Sequence, residues 1–314
     1  MKRILLTAGI LLLLVFLLLH PQEGLAAART GMTLWLNSLI PALLPFIILT
    51  GVLIHTGSIE KILLPFRPLF EFLLGVSVYG GYVFLLGMLC GYPMGAKLAS
   101  DMYESHKISR REAEYLTTFC NNASPSFIIT YLGQICLLNK VPASRLFLCL
   151  FLSDFICMMI FRLLIYRNHL PGSVPHTDRH DEKKETSSAP LSGSALDVSI
   201  MNGFETITRL GGYILLFSIL AGCISLYWPF SPVSRYVLLG FTEITTGLSL
   251  IADSGLPFRF CCILSAAAVG SGGACILAQT RSILHKDLRL LPCLTSKCLN
   301  AVLTGMIALS LIHI

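Results

Sequence analysis

Val76-Ser77-Val78-Tyr79-Gly80-Gly81-Tyr82-Val83-Phe84-Leu85-Leu86-Gly87-Met88-Leu89-Cys90 runs directly into Gly91-Tyr92-Pro93-Met94-Gly95-Ala96-Lys97-Leu98. The first part is apolar enough for a membrane helix, and the second interrupts it with glycine and proline. In lipid each unpaired backbone group costs several kcal/mol, so irregular backbone survives only where it faces protein or a wet cavity. The flanks pose a further problem. Lys61 and Arg67 precede the segment, and Lys97, Lys107, Arg110 and Arg111 follow it. The positive-inside rule puts both flanks in the cytoplasm, which a single span cannot satisfy. Either 76–98 is re-entrant, dipping in to the Gly91–Gly95 break and returning, or one flank violates the rule. A re-entrant hairpin permits an odd number of crossings per half, and hence inverted repeats.

The rest of the chain supplies the same solvent. Of 314 residues, 54% are hydrophobic and only 13% are charged, and the mean hydropathy is +0.75. Soluble domains carry about 25% charged residues. Half that density excludes a soluble enzyme, a disordered chain and a fibrous repeat. Segments of strict apolar/polar alternation are absent, which argues against an outer-membrane barrel. The expectation is an all-α, polytopic transmembrane bundle with two related halves and interrupted or re-entrant helices. The net charge of +6 sits in short loops, where cytoplasmic retention accounts for it without nucleic acid.

Apolar runs predict helices over 4–20, 33–54, 76–98, 124–139, 143–166, 204–228, 233–252, 258–280 and 293–314. Residues 1–30 read as an anchor helix and connector rather than a cleaved leader, with Thr7 to Leu25 contributing to the span. Segment 59–74 holds Glu60, Lys61, Pro65, Arg67, Pro68 and Glu71 and reads as interfacial or half-spanning. Ser109 three residues before Glu112 is a capping-box spacing, predicting a short amphipathic helix over 109–120. Residues 167–198 hold nine of the forty charges and read as a solvated linker between a first half, 31–166, and a second, 199–314. The linker's His169, His176 and His180 leave a metal-binding loop as the lesser alternative.

The two halves share Pro65-Phe66-Arg67-Pro68 and Pro229-Phe230-Ser231-Pro232, each followed by Leu-Leu-Gly. A fixed offset of 179 residues (270 less 91) also aligns Gly91, Leu98, Ala99, His106, Lys107, Arg110 and Asn121 with identical residues. That is seven matches in 31 positions, where chance gives about two or three. Internal repeats with interrupted helices at their interface mark secondary transporters.

Four clusters carry candidate chemistry. In the first, Gly91, Tyr92, Gly95 and Lys97 form an anion site of backbone N–H groups with a lysine beside it, or a helix kink with a snorkelling lysine. Asn121, Asn122 and Ser126 either hydrogen-bond a solute or cap the helix that Pro125 opens. Gly270, Ser271, Gly272 and Gly273 offer a second backbone nest, or close helix packing. Glu243, with Thr245 and Thr246, is an intramembrane carboxylate, which is a functional candidate by default. It carries a coupling proton or cation, or else pairs with Arg209 or Arg235. Asp154 and Arg162 lie on one helix face and read as members of structural ion pairs. The 11 cysteines include Cys90, Cys149, Cys157, Cys223, Cys261, Cys262 and Cys275 inside apolar runs. They read as small membrane hydrophobes, with neither disulfide framework nor metal site expected. No hydrolase elbow, zinc helix, Walker loop or dinucleotide fingerprint occurs, so neither an enzyme nor a cofactor is expected.

Three blocks together, Gly91-Tyr92-Pro93-Met94-Gly95-Ala96-Lys97, Phe119-Cys120-Asn121-Asn122-Ala123-Ser124-Pro125 and Glu243-Ile244-Thr245-Thr246-Gly247, resemble sporulation integral membrane proteins of the YlbJ type. The likeness runs in order from about residue 30 to the end, with the linker as a variable insertion. The resemblance implies a nucleoside-recognition (Gate) domain, similar in kind to concentrative nucleoside transporters. It also implies endospore formation, the outer forespore membrane, and movement of dipicolinic acid for core and cortex maturation. The implied partners are a small anionic solute and the bilayer, together with a possible second copy or other sporulation membrane proteins. Ser271 and Gly272 stand for Tyr92 and Pro93 in the second glycine block, and no lysine matches Lys97. The halves are therefore expected to contribute unequally. Two further readings stay open: a non-transporting assembly protein of the spore envelope, and a nucleoside carrier.

Overall fold

The first helix, α1 (Lys2–Leu19), ends at His20, where the chain turns through 112° into α2 (Pro21–Leu34). Pro21 sets that boundary, since proline suits the first helical position and has no N–H to lose there. The computed structural model describes residues 2–56, 63–167 and 194–311. α2 continues through a π turn (Trp35–Leu39) into α3 (Ile40–Thr56). The sequence predicts one helix from residue 33; the structure extends it back to Pro21. The widened turn lies where Pro41 lacks the N–H that an α-turn sends to Asn37.

The segment 63–74, a succession of short 3₁₀, α and π turns, then meets α4 (Val78–Cys90) at 79°. This agrees with a half-spanning piece; residues 59–62 of that prediction lie outside the described residues. α4 ends at Gly91, and α5 (Met94–Glu104) folds back along it. The re-entrant alternative for 76–98 is thus the one the chain adopts. α6 (Arg110–Leu116) follows, and then an irregular stretch and a π segment (Phe127–Cys136).

The long helix α7 (Ala143–Leu164) closes the first half. α8 (Ser194–Tyr227) opens the second, ten residues earlier than predicted. The linker therefore ends before Ser194, and its residues 168–193 lie outside the described residues. α8 runs antiparallel along α2 and α3: Gly31 meets Ser218, Trp35 Nε1 donates to Ile207 O at 2.9 Å, and Gly51 meets Ser199. Small residues at these contacts let the backbones close up.

α9 (Pro232–Thr242) and α10 (Ile244–Ala252) form a second hairpin, broken at Glu243. α11 (Phe258–Ser271) and α12 (Gly273–Ile283) instead run on as one 26-residue span, interrupted only at Gly272. α13 (Leu291–Leu311) packs along both α11 and α7. Among the described residues there is no strand, and four helices are long and apolar enough to cross a membrane, or up to six if each of two bent pairs is one span.

This packing corrects the repeat register. An offset of 179 sets the hairpin α4–α5 on the straight span α11–α12, which do not match in shape. Instead hairpin matches hairpin (α4–α5 with α9–α10), interrupted span matches interrupted span, and α7 matches α13. Arg110 and Phe258 open the interrupted spans and Ala143 and Leu291 open the long helices, a shift of about 148 residues in both cases (258 less 110, 291 less 143), as internal repeats require.

The repeats are inverted. At the base of the first hairpin, Ser100 Oγ accepts from His285 N at 2.8 Å and Glu114 Oε1 from Arg289 N at 3.1 Å, so α12 ends there. α12's other end traces back through α11 to its first turn, where Cys261 Sγ donates to Ile251 O at 3.4 Å, at the base of the second hairpin. The hairpins therefore enter from opposite faces, tips meeting between them.

Glu112 was expected in an amphipathic capping box. Ser109 does cap α6, its Oγ accepting from Glu112 N at 3.2 Å. The Glu112 side chain, however, is 1% exposed. It turns inward and accepts from Ser77 N at 2.6 Å, which ties the start of α4 to α6. Glu112→Ala is expected to cost about 1–3 kcal/mol, the penalty of an orphaned buried donor, and Glu112→Gln less. Thermal melts in detergent check this; an alanine variant melting with the wild type would contradict the assignment.

Candidate functional site

The hairpin tips and span breaks converge on a cavity of about 260 Å³. Gly91 and Tyr92 of the first tip, Glu243, Ile244 and Thr245 of the second, and Ser124, Ser126, Phe127, Thr130 and Tyr131 after the first break all line it. Cys275, Ile276 and Gln279 of α12 form another wall, and Leu34, Leu39, Leu43 and Ile214 of the scaffold helices close it. Ligand pockets run about 300–1,000 Å³, so this one suits a small solute. Its lining is apolar and aromatic with a few convergent polar groups, and among the described residues the one formally charged side chain on it is Glu243.

Glu243 owes its place to the chain reversal. It is the N-cap of α10, its Oε1 accepting from Thr245 N (3.2 Å) and Thr245 Oγ1 (2.6 Å) and its Oε2 from Thr246 N (2.7 Å). Neither arginine foreseen as its partner reaches it: Arg209 binds Glu205 and Ser282 O, and Arg235 donates to Ser225 O. Thr245 O accepts from Tyr131 Oη at 2.7 Å, which fastens the second tip to the π segment. Thr246 contributes its backbone to the cap and does not line the cavity.

The first tip presses on the first break. Gly91 has φ +82°, and a Cβ there would lie 2.7 Å from Ser124 N. Tyr92 faces the cavity edge-on to Phe127, with ring centroids 6.3 Å apart. Gly95 packs on the backbone of Cys120. Lys97 departs from expectation. It does not line the cavity, and Nζ lies 2.6 Å from Asp101 Oδ1 one turn along α5.

Asn121 and Asn122 are buried and hold elements together. Asn121 Nδ2 donates to Thr280 Oγ1 at 3.0 Å, joining the first break to α12. Asn122 Nδ2 donates to Phe119 O at 2.8 Å. In the second break Gly270 O accepts from Asn300 Nδ2 at 3.4 Å, and Ser271 Oγ accepts from Gly273 N at 3.1 Å. Gly272 and Gly273 have φ of +72° and +74°. None of these four lines the cavity; residues one turn beyond them do.

Behind Tyr92 lies a buried polar layer that sequence reasoning did not assemble. Lys297 Nζ donates to Asn122 Oδ1 at 2.6 Å, and Asn300 Nδ2 to Asp154 Oδ1 at 2.5 Å. Ser153 Oγ hydrogen-bonds Asn300 Oδ1 and Thr304 Oγ1. Asp154 thus serves α13. Arg162, its presumed equivalent in an ion pair, donates to the carbonyls of Phe72 and Leu73. The signal was present, since a lysine and an asparagine inside an apolar span stand out as plainly as Glu243 does. Ten of the eleven cysteines are buried, Cys298 being exposed.

Two hairpins entering in opposite directions, two interrupted spans and a shared cavity define a polytopic α-helical membrane protein built of inverted repeats. The chain is 27% identical over 316 aligned positions to the sporulation integral membrane protein YlbJ of Bacillus subtilis (strain 168), a match covering 90% of this chain and 76% of that protein. That similarity bears out the resemblance carried by the three sequence blocks. No family model matches, and no solved structure does.

Proposed function

We propose that this protein is a permease for a small organic anion, dipicolinic acid, in the membranes of a sporulating cell. The observation that carries the reading is the pair of hairpin tips entering from opposite faces onto one cavity. Withdrawal of either hairpin opens the cavity to its own side, which is the geometry alternating access needs. The name of the Bacillus relative supports the sporulation setting, and the resemblance to the YlbJ type suggests the solute and the outer forespore membrane. Lys107, Arg110, Arg111, Lys286 and Arg289 cluster around the base of the first hairpin. By the positive-inside rule that base faces the cytoplasm.

The test is uptake of dipicolinate into proteoliposomes holding the purified protein. Saturable uptake above that of empty vesicles is expected; its absence across an imposed gradient counts against the permease reading. One observation favours a second reading. Glu243, Gln279, Tyr92 and Tyr131 on the cavity wall suit a neutral, planar, hydroxyl-bearing solute such as a nucleoside. Uridine uptake that dipicolinate fails to compete with would select it.

A further inference from the structure

Among the described residues the one formally charged side chain on the cavity wall is Glu243, and no lysine or arginine lines it. A lysine stands one side chain deeper. Lys297 is 3% exposed, and its Nζ lies 5.5 Å from the ring centroid of Tyr92. Tyr92 is itself cavity wall, so the two compartments share that one ring.

An ammonium carries three donors. Among the described residues Lys297 uses one of them, on Asn122 Oδ1, and touches no carboxylate. Asp154 attracts it from beyond contact distance, with Asn122 and Asn300 between. A buried charge so thinly partnered pays much of its desolvation without return. Tyr92 Oη, on the ring beside Lys297, is buried and also has no hydrogen-bond partner among the described residues. Spare ammonium donors beside an unpartnered phenol O–H are the donor set of a carboxylate receptor, because charge-assisted bonds to a carboxylate are the strong ones.

We infer that Lys297, reached when the Tyr92 side chain swings out of the cavity wall, receives one carboxylate of the transported anion and sets the preference for anionic over neutral solutes. Lys297 takes the part expected of Lys97. The inference rests on the permease reading and adds a specificity-determining residue to it.

The experiment compares the wild type with Lys297→Met and with the charge-neutral pair Asp154→Asn/Lys297→Met. The pair leaves no lone buried charge, so it keeps the test valid where the single variant fails to fold. Each is assayed for dipicolinate uptake and for competition by pyridine-2,6-dicarboxamide, the neutral isostere. In the pair, the preference for dipicolinate over the diamide is expected to fall by about tenfold or more, the worth of one charge-assisted contact. An unchanged preference, or a pair that restores wild-type uptake lost in Lys297→Met, would overturn the inference and leave Lys297 a structural counter-charge. Wild-type vesicles inert to dipicolinate would instead overturn the permease reading, and the inference with it.

Discussion

Replacing Gly95 by alanine is expected to abolish uptake and to lower the melting temperature by several degrees. A Cβ on Gly95 falls 1.8 Å from Cys120 O and 2.4 Å from its carbonyl carbon. Both are backbone atoms, so no rotamer change relieves the clash. Overpacking of this kind costs about 1–3 kcal/mol, sometimes more, and about 1 kcal/mol moves the melting point of a chain this size by a few degrees. The functional loss is larger than the stability loss. Cys120 immediately precedes the two asparagines of the first break, so backing α5 away pulls Gly91 and Tyr92 off the cavity. Gly212 supplies the control, because a Cβ there meets nothing within 4 Å; Gly212→Ala is expected to insert, melt and transport like the wild type. Uptake by Gly95→Ala at the wild-type rate would show that the first tip need not seat on the first break.

How far such features are legible in sequence depends on what each residue does locally. Gly91 and Pro93 announce the first hairpin because no residue types disturb a membrane helix more, and a lysine on each flank fixes the reversal. The second hairpin is silent by that standard. Thr242-Glu243-Ile244 contains neither glycine nor proline, and the carboxylate satisfies the turn by accepting from two backbone N–H groups and one hydroxyl. Read by hydropathy alone, 233–252 is one helix. The repeat register failed for a related reason. Identities at an offset of 179 include the connector residues His106 and Lys107 and the helix-opening Arg110, which resemble their counterparts by charge, whereas the matching breaks are built differently, with Asn121-Asn122 in one and Gly272-Gly273 in the other. The cavity wall was partly legible: Gly91, Tyr92, Ser126, Glu243 and Thr245 line it as their positions beside breaks suggest. Lys97 and Lys297 can be told apart by their neighbours in sequence. What separates them is Asp101, one helical turn from Lys97, and the absence of any such carboxylate on α13 near Lys297.

Glu243→Ala is expected to abolish uptake, and Glu243→Gln to uncouple it. The alanine variant removes the N-cap of α10 outright. It leaves the N–H groups of Thr245 and Thr246 without their acceptor at a tip that has no other cap, a loss of about 0.5–2 kcal/mol concentrated on the moving element. Glutamine keeps one acceptor oxygen for that cap and removes the charge. Among the described residues no lysine or arginine touches Glu243, so the carboxylate on the cavity wall is balanced by dipoles and hydroxyls alone. A proton or a metal cation arriving with the solute completes that balance; a lone anion opposes it. On this reading Glu243→Gln still exchanges labelled for unlabelled dipicolinate across the vesicle wall. It no longer accumulates the solute when a proton or sodium gradient is imposed, and the inside-to-outside ratio relaxes to equality. Retained accumulation in Glu243→Gln would assign the coupling elsewhere and reduce Glu243 to the cap of α10. Exchange lost along with accumulation would mean that the cap geometry, rather than the charge, is what the second tip needs to close.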